Sequence, residues 1–268
     1  MVAEASLLKG LGAWLPFAGL WLLLACVTVA ELVRPLHLRP AEGKGRLAAN
    51  FGLGLINACL FLLLPLSAVF AAQWAGARGL GLFNAFAVPA LVAVPVTVAA
   101  WSLANYLLHR LFHGLPWLWR LHRVHHADTA IDLSTGFRSH PGEALLLALA
   151  RAAVAIAFGL SVPALIIAET LAIAFTMWSH ANLRLPDRLD RAMRLLLVTP
   201  AMHHVHHSAR RAETDSNYGD VFSLWDRLFG TYRRSDTSSL STMRFGLGAE
   251  HDEGSSNLLK QLAGPLAR

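Results

Sequence analysis

Long apolar runs alternate with short polar loops through the N-terminal part of the chain. Residues 12–33, 47–72 and 87–108 each contain at least 22 residues and carry at most one charge. An α-helix rises about 1.5 Å per residue, so about 20 residues cross the hydrocarbon layer of a bilayer. We therefore predict three membrane spans. A signal peptide is disfavoured for the first run, because the run is too long and only Lys9 precedes it as a basic residue.

A further apolar stretch, residues 142–178, is interrupted by Gly-Leu-Ser-Val-Pro at 159–163. This length predicts a hairpin of two short helices that enters or crosses the membrane and returns. Arg151 lies inside the hairpin, where a charge is costly, so it should face protein, water or a lipid headgroup. Residues 235–268 are polar and rich in serine and glycine, which predicts a loosely held tail.

These elements predict an all-α fold: one integral-membrane domain, an α-helical bundle of about four or five membrane helices with a helical cap. Residues 12–108 would form three spans, and residues 109–234 a histidine-rich region that contains the hairpin. The composition agrees, since 55% of the residues are hydrophobic and only 15% are charged, against about 25% charged in soluble domains. Cys26 and Cys59 lie in apolar runs and form no CxxC, which argues against a cysteine-ligated metal.

The basic residues set the expected orientation. The net charge of +6 fits basic loops at a membrane better than nucleic-acid binding, because the chain is too apolar. Four basic residues occupy the loop after the first run, namely Arg34, Arg39, Lys44 and Arg46, whereas the next loop has only Arg78. The first loop should therefore be cytoplasmic. The third span and the hairpin then both return to the cytoplasmic face, which we expect to be that of a bacterial cytoplasmic membrane.

Histidine is the chemical outlier of the composition. Eleven of the 13 histidines lie between His109 and His207, and eight of these form three motifs. The first motif is HxxxH at residues 109–113, and the other two are HxxHH at residues 122–126 and 203–207. Residues four apart share one face of a helix, so each outer pair can bind one metal. The middle histidine of an HxxHH motif lies beside that face and can reach a second metal.

Imidazole suits iron, zinc, copper and nickel. Eight motif histidines exceed the needs of one tetrahedral zinc, so the pattern predicts two metals with open coordination positions. Soluble di-iron bundles use glutamate and ExxH motifs, which do not recur here, so the site should be rich in histidine and poor in carboxylate. The isolated residues His37 and His251 are expected to be surface or satisfied core residues.

The motifs and their order resemble the fatty acid hydroxylase / sterol desaturase superfamily of membrane di-iron oxygenases. The resemblance covers about residues 101–232. Beside the histidine motifs it includes Arg138-Ser-His140-Pro141, His180-Ala-Asn182, Thr199-Pro200, Asn217-Tyr218-Gly219 and the block 225–231. It implies nine metal ligands, namely His109, His113, His122, His125, His126, His180, His203, His206 and His207.

The resemblance also assigns lesser roles. His140 and Asn182 would support the site without binding metal, His140 by orienting a ligand or an acid. His204 stands where the superfamily often has arginine and is expected to be a non-ligand. The block 225–231 is expected to be a packing turn that closes the cap.

By this resemblance the protein would be an oxidoreductase with two iron ions and O2 as co-substrate. It would hydroxylate or desaturate a membrane lipid of fatty acyl, alkyl or sterol-like type. The chain has no GxGxxG motif and no CxxC cluster, so a separate cytoplasmic electron-transfer protein is implied. Arg120, Arg123, Arg210 and Arg211 could attract an acidic donor or contact anionic headgroups. Nucleic acid is not expected as a partner, and the oligomeric state stays open.

Two other classes of function compete with this interpretation. A membrane zinc hydrolase would need a general base, but the chain has no HExxH and no glutamate beside a ligand histidine in sequence. Zinc could still occupy the site in purified protein. A non-enzymatic metal-binding or transport protein would hold its ligands near the middle of the spans, whereas these histidines fall at one membrane edge.

Overall fold

The computed structural model describes residues 19–38, 45–64, 67–86, 88–234, 240–248 and 254–266. Over these residues the chain is helical and has isolated bridges in place of strands, so the predicted all-α fold is confirmed. The helices are α1 (Gly19–Val33), α2 (Arg46–Leu63), α3 (Ala68–Gly76), α4 (Leu82–Ala85), α5 (Ala90–Gly114), α6 (Pro116–His126), α7 (Pro141–Phe158), α8 (Val162–His180), α9 (Asp187–Met193), α10 (Pro200–His206), α11 (Arg211–Thr214), α12 (Leu224–Leu228) and α13 (Leu258–Ala263), with a 3₁₀ helix at Leu133–Phe137.

Several helical segments are apolar enough to cross a membrane, which confirms a membrane helical bundle. Four are also long enough, namely Arg46–Gly76, Leu91–Gly114, Pro141–Phe158 and Val162–His180. The shorter α1 is apolar as well. Residues 12–18 of the predicted first span lie outside the described residues.

The predicted second span, residues 47–72, is divided between α2 and α3. Leu64 is extended, with φ −110° and ψ 125°, and it precedes a proline in the sequence. A proline ring disfavours the helical conformation of the residue before it, which accounts for the end of α2. The side chain of Ser67 then accepts a hydrogen bond from the Phe70 amide and begins α3.

Small residues line the contacts among α3, α5, α7 and α8. The shared core is built mainly of alanine, namely Ala68, Ala71, Ala72, Ala155, Ala168 and Ala172, with Trp101, Leu160 and Leu165. Small side chains let apolar helices approach closely. Gly159, at φ 62°, ends α7, and a Cβ at this position would lie 2.8 Å from the carbonyl oxygen of Leu80. The chain between α7 and α8 therefore turns within the interruption seen in the sequence.

We call residues 115–140 and 181–234, which lie outside the apolar helices, the cap. Two buried arginines connect the cap to α2. Arg46 donates hydrogen bonds to both carboxyl oxygens of Asp128, at 3.1 and 2.9 Å, and also pairs with Asp132. Arg138 donates to Asn50 on α2 at 2.8 Å. Buried charges are costly unless they are paired or fully hydrogen-bonded. Arg46 is paired with two carboxylates, and Arg138 donates to Asn50 and to two backbone carbonyls. The network fixes the loop after α6 against the first described membrane-crossing segment.

The described end of the chain is docked on the cap, in contrast to the loosely held tail expected from its composition. Arg138 donates to the Ser255 carbonyl at 2.7 Å, and Arg123 donates to the Gly264 carbonyl at 2.9 Å. Leu258 of α13 packs against Gly52 of α2, where a Cβ would lie 2.9 Å from the leucine side chain. These contacts depend on the folded positions of α2 and α6, which the local composition does not reveal.

Candidate metal centre

Nine histidine side chains converge at the C-terminal ends of α5 and α8. They form two groups, and within each group one nitrogen per residue lies within 4.8 Å of all the others. Group one consists of His109, His113, His122, His126 and His206. Group two consists of His125, His180, His203 and His207. The structure thus brings together all nine histidines that the sequence singled out, and neither group includes a carboxylate or cysteine of the described residues.

Helix geometry explains how the two HxxHH motifs are divided. On α6, the outer pair joins group one, while the middle residue His125 joins group two. The α10 motif does the reverse, since its outer pair joins group two and His206 joins group one. The two groups are adjacent, because the rings of His126 and His207 stack with centroids 4.6 Å apart. Each motif therefore contributes to both groups.

Backbone carbonyls fix the protonation of several rings. Nδ1 of His109 donates to the Tyr218 carbonyl at 2.9 Å, and Nδ1 of His206 donates to the Ser216 carbonyl at 2.8 Å. In group two, Nδ1 of His125 donates to the Arg138 carbonyl and Nδ1 of His180 to the Thr176 carbonyl. A carbonyl can only accept, so Nδ1 carries the proton and a neutral ring presents a lone pair at Nε2. All four of these Nε2 atoms face their groups.

Two carboxyl groups support group one from outside. Nδ1 of His122 donates to Oε1 of Glu143 at 2.7 Å, and Nδ1 of His113 donates to Oδ1 of Asp215 at 3.2 Å. Glu143 is 21 residues from His122 in the chain but contacts it in space, so the sequence alone did not reveal a glutamate beside a ligand histidine. It contacts the outer nitrogen of His122, so it is turned away from the group and is poorly placed to activate a water there. The available signal was a glutamate in the first turn of a helix that begins at the proline of a histidine-proline pair.

The Nε2 atoms, which we call the inner nitrogens because they point into the groups, lie close to one another, whereas the Nδ1 atoms are the outer nitrogens. Nε2 of His125 lies 3.0 Å from Nε2 of His180, although both rings hold their protons on the opposite nitrogen. Two lone pairs at this distance repel each other unless a cation lies between them. In group one, the buried Nε2 atoms of His113 and His206 have no hydrogen-bond partner among the described residues. The donor set therefore fits metal ions, for which neutral imidazole is a common ligand.

Burial keeps the rings of the cap neutral. Removal from water lowers the pKa of His206 to about 3, and nearby histidines lower it further. Burial likewise holds the pKa of His125 and of His207 well below the usual value, and neighbouring rings add to the effect. Metal binding needs an unprotonated nitrogen, so these sites require no proton to be removed near neutral pH.

His140 and Asn182 lie near the groups but make no described hydrogen bond to any of the nine histidines. His140 caps α7 by accepting from the Gly142 amide at 3.0 Å, and its Nε2 donates to the Leu262 carbonyl at 3.1 Å. Oδ1 of Asn182 accepts from the His37 amide at 2.8 Å. Both residues therefore position chain segments: His140 joins α7 to the docked tail, and Asn182 joins the end of α8 to the segment after α1.

His204 stays outside both groups. Its Nε2 donates to the His180 carbonyl at 3.2 Å, so its Nδ1 accepts from Nε2 of His37 at 2.8 Å. Its ring stacks on that of His37, with centroids 4.9 Å apart. His37 is thus a buried residue with a partner, as expected for a satisfied core histidine. His251 lies outside the described residues.

Asp226 holds the loop that supports His109. Its carboxyl oxygens accept from the Tyr218 amide at 2.8 Å, the Gly219 amide at 2.9 Å and the hydroxyl of Thr231 at 2.7 Å. The Tyr218 carbonyl of the same loop accepts from His109. The block 225–231 is therefore a packing turn. It holds the Tyr218 loop, and the Tyr218 carbonyl accepts the hydrogen bond from His109.

The fold and the site define an integral-membrane helical protein whose cap carries two histidine groups that can bind metal. The chain belongs to the fatty acid hydroxylase family, whose family model matches residues 94–231, just over half of its 268 residues. This matched region contains all nine histidines, and it confirms the resemblance drawn from the motifs.

Several curated relatives of the chain have names that describe an action on lipids. Alkylglycerol monooxygenase of Danio rerio is 34% identical over 49% of this chain and 28% of its own length. Ornithine lipid hydroxylase OlsE of Rhizobium tropici is 28% identical over 66% of this chain and 50% of its own length. A cholesterol 25-hydroxylase-like protein of Danio rerio is 32% identical over 49% of this chain and 55% of its own length. The chain therefore covers 28% to 55% of these relatives. No solved structure matches it.

Proposed function

We propose that the protein is a membrane oxidoreductase that uses two iron ions and O2 to hydroxylate a lipid. The observation that carries this proposal is the convergence of nine histidines, eight of them buried and His109 half-buried, into two adjacent groups that include no carboxylate of the described residues. Each group would hold one iron through its inner nitrogens. Iron bound there would supply the activation of O2 that oxidation of an unactivated C–H bond requires.

The reaction balances with a reductant from outside the chain. Hydroxylation consumes one C–H bond, one O2, two electrons and two protons, and it yields an alcohol and one water. Desaturation would consume the same O2, electrons and protons but would release a second water in place of the alcohol. Relatives named as monooxygenase and hydroxylase support hydroxylation for this chain.

The residues of this chain would set ring geometry and exclude water. The carbonyls of Tyr218, Arg138 and Ser216 hold three rings in place through their outer nitrogens. Glu143 and Asp215 do the same for His122 and His113 and would strengthen their inner nitrogens as ligands. Eight of the nine histidines are buried and His109 is half-buried, so bulk water has little access to the oxidising site.

The lipid substrate would approach from the bilayer. α5 and α8 are apolar along their length and bring His109 and His180 to their cap ends. An alkyl or acyl chain that lies along these helices would therefore point toward the two groups. We propose a fatty acyl, alkyl or sterol-like lipid as substrate, a cytoplasmic orientation of the cap and a bacterial cytoplasmic membrane as location. A separate electron-transfer protein would deliver the electrons.

Metal analysis of anaerobically purified full-length protein tests the proposal most directly. We expect about two irons per chain, as two groups imply. His125→Ala should lose iron and lipid oxidation, while His251→Ala, outside the three motifs, serves as the matched control. One zinc per chain without iron would support a hydrolase instead. Lipid profiles of cells with and without the gene would then identify the hydroxylated lipid.

A further inference from the structure

One side of the cap combines an open pocket, two arginines and a tryptophan. The pocket has a volume of about 250 Å³, and its lining includes Trp119, Arg123, His126 and Arg211. Arg211 is exposed, and Trp119 and Arg123 are half-buried. The proposed reaction at the two histidine groups does not itself require these three side chains. Trp119 also contacts rings of group one, so it connects this surface to the histidines.

Trp119 is in contact with three rings of group one. Its ring centroid lies 4.9 Å from that of His113, 5.3 Å from that of His126 and 6.2 Å from that of His122. The guanidinium of Arg211 also lies over the indole of Trp119, 4.6 Å from its centroid. Trp119 thus lines the pocket and contacts group one at the same time.

His126 is the ligand candidate that forms part of the pocket. Nε2 of His126 lies 3.2 Å from Nε2 of His122, so this ring points its Nε2 into group one. The pocket is therefore lined by one ring of group one, that of His126. The buried Nδ1 of this ring has no hydrogen-bond partner among the described residues.

The charge of this surface favours an acidic partner. Arg211 already pairs with Asp215 at 2.6 Å, and Arg123 makes its described hydrogen bond to a neutral carbonyl, that of Gly264. The lining of the pocket contains no acidic residue among the described residues. Complementary charge raises the association rate of proteins and orients them on encounter.

We propose that this pocket is the docking site of an acidic one-electron carrier protein, and that electrons pass through Trp119 to group one. The inference rests on the proposed function, which needs two electrons per hydroxylation. Each docking event would transfer one electron from the carrier, by way of Trp119, to iron held by group one. Two events supply both electrons, and the two protons come from solvent.

Binding tests the docking surface without relying on turnover. The probe is a plant-type [2Fe–2S] ferredoxin, and the full-length protein is held in neutral phosphatidylcholine nanodiscs. Arg123→Glu should weaken ferredoxin binding about tenfold and reduce its salt dependence. Arg123→Gln, which keeps a donor for Gly264, should show a smaller loss. Arg188→Glu on α9, an exposed arginine outside the pocket, should bind like the unaltered protein. Unchanged binding by Arg123→Glu would overturn the proposal.

Reduction kinetics test the electron route. Trp119→Leu should slow reduction of the iron by ferredoxin about tenfold while ferredoxin binding stays unchanged, and Trp119→Phe should keep most of the rate. Dithionite, a small reductant that needs no docking, should reduce all variants alike. Equal ferredoxin rates for Trp119→Leu and the unaltered protein would refute the route. Loss of glycerol 1-phosphate binding with intact ferredoxin binding in Arg123→Glu would make the pocket a lipid-headgroup site. Iron content and dithionite-driven lipid oxidation test the proposed function separately.

Discussion

Glu143 and His122 form a buried pair in which Oε1 of the carboxyl group accepts a hydrogen bond from Nδ1 of the imidazole at 2.7 Å. The second carboxyl oxygen of Glu143 is buried and has no hydrogen-bond partner among the described residues. The pair places an acceptor directly behind one ring of group one. Its effect on metal affinity should therefore be larger than that of an exposed carboxylate.

We expect Glu143→Ala to lower the iron affinity of the protein about 10- to 100-fold, the usual effect of losing a residue that orients a metal-binding histidine. Glu143→Gln keeps an acceptor oxygen and should lose less. The measurement is iron retained per chain at increasing concentrations of a chelator. Equal iron retention by Glu143→Ala and the unaltered protein would show that His122 needs no support.

Asp215→Ala should have a smaller effect than Glu143→Ala. The bond from His113 to Asp215 is longer, at 3.2 Å, and the carboxyl side chain is 36% exposed, so water can replace it as an acceptor. The same chelator titration ranks the two variants. The opposite ranking would mean that the exposed carboxylate controls group one.

Removing Arg46 should destabilise the fold without touching the histidines. Arg46→Met leaves Asp128 and Asp132 buried without their arginine, which costs about 3–5 kcal/mol when a buried charge loses its partner. The exposed control Arg188→Met should change the free energy of unfolding by less than about 0.5 kcal/mol. Thermal unfolding in detergent compares them. An Arg46→Met variant as stable as the control would contradict a structural role for this network.

The metal-free protein should lose stability in acid because its histidines resist protonation. The pKa of His206 is lowered to about 3 by burial, whereas an unfolded chain would protonate it near its ordinary value of about 6.5. Between these values the unfolded state binds more protons, so stability falls as the pH drops from about 6.5 toward about 3 and is fully present above that window. Unfolding of the apoprotein across this range checks the sign. Constant stability from pH 7 to 4 would show that the folded protein takes up protons at its histidines as readily as the unfolded chain does.

Eight of the nine histidines could be found from sequence because their spacing is local, and the ninth, His180, was implied by the family resemblance alone. A residue and its neighbour four positions later share a helix face whatever the rest of the chain does. Helix geometry predicts that the outer pair and the middle histidine of an HxxHH motif serve different metals, but which group each part joins depends on how α6 and α10 pack against α5 and α8. Glu143 was missed for the same reason: 21 residues separate it from His122, and only the packing of α7 on α6 brings them together.

The membrane segments show the same limit. Apolar length was enough to predict a helical membrane bundle, but it hid the interruption at Leu64, where the proline that follows was the available signal. The tail was misjudged because composition cannot show that Leu258 has a place against Gly52. The tail contact joins segments that are distant in the chain, whereas the break at Leu64 has a local cause in the proline that follows it.

The shared use of α6 and α10 has a consequence for how the centre fills. Both helices contribute histidines to both groups, so an ion bound in one group orders the scaffold of the other. The second ion then meets ligands whose ordering entropy has already been lost, which is the condition for positive cooperativity. Chains with a single ion should consequently be scarce during titration, and loading should proceed from empty to full with a sigmoidal dependence on free iron.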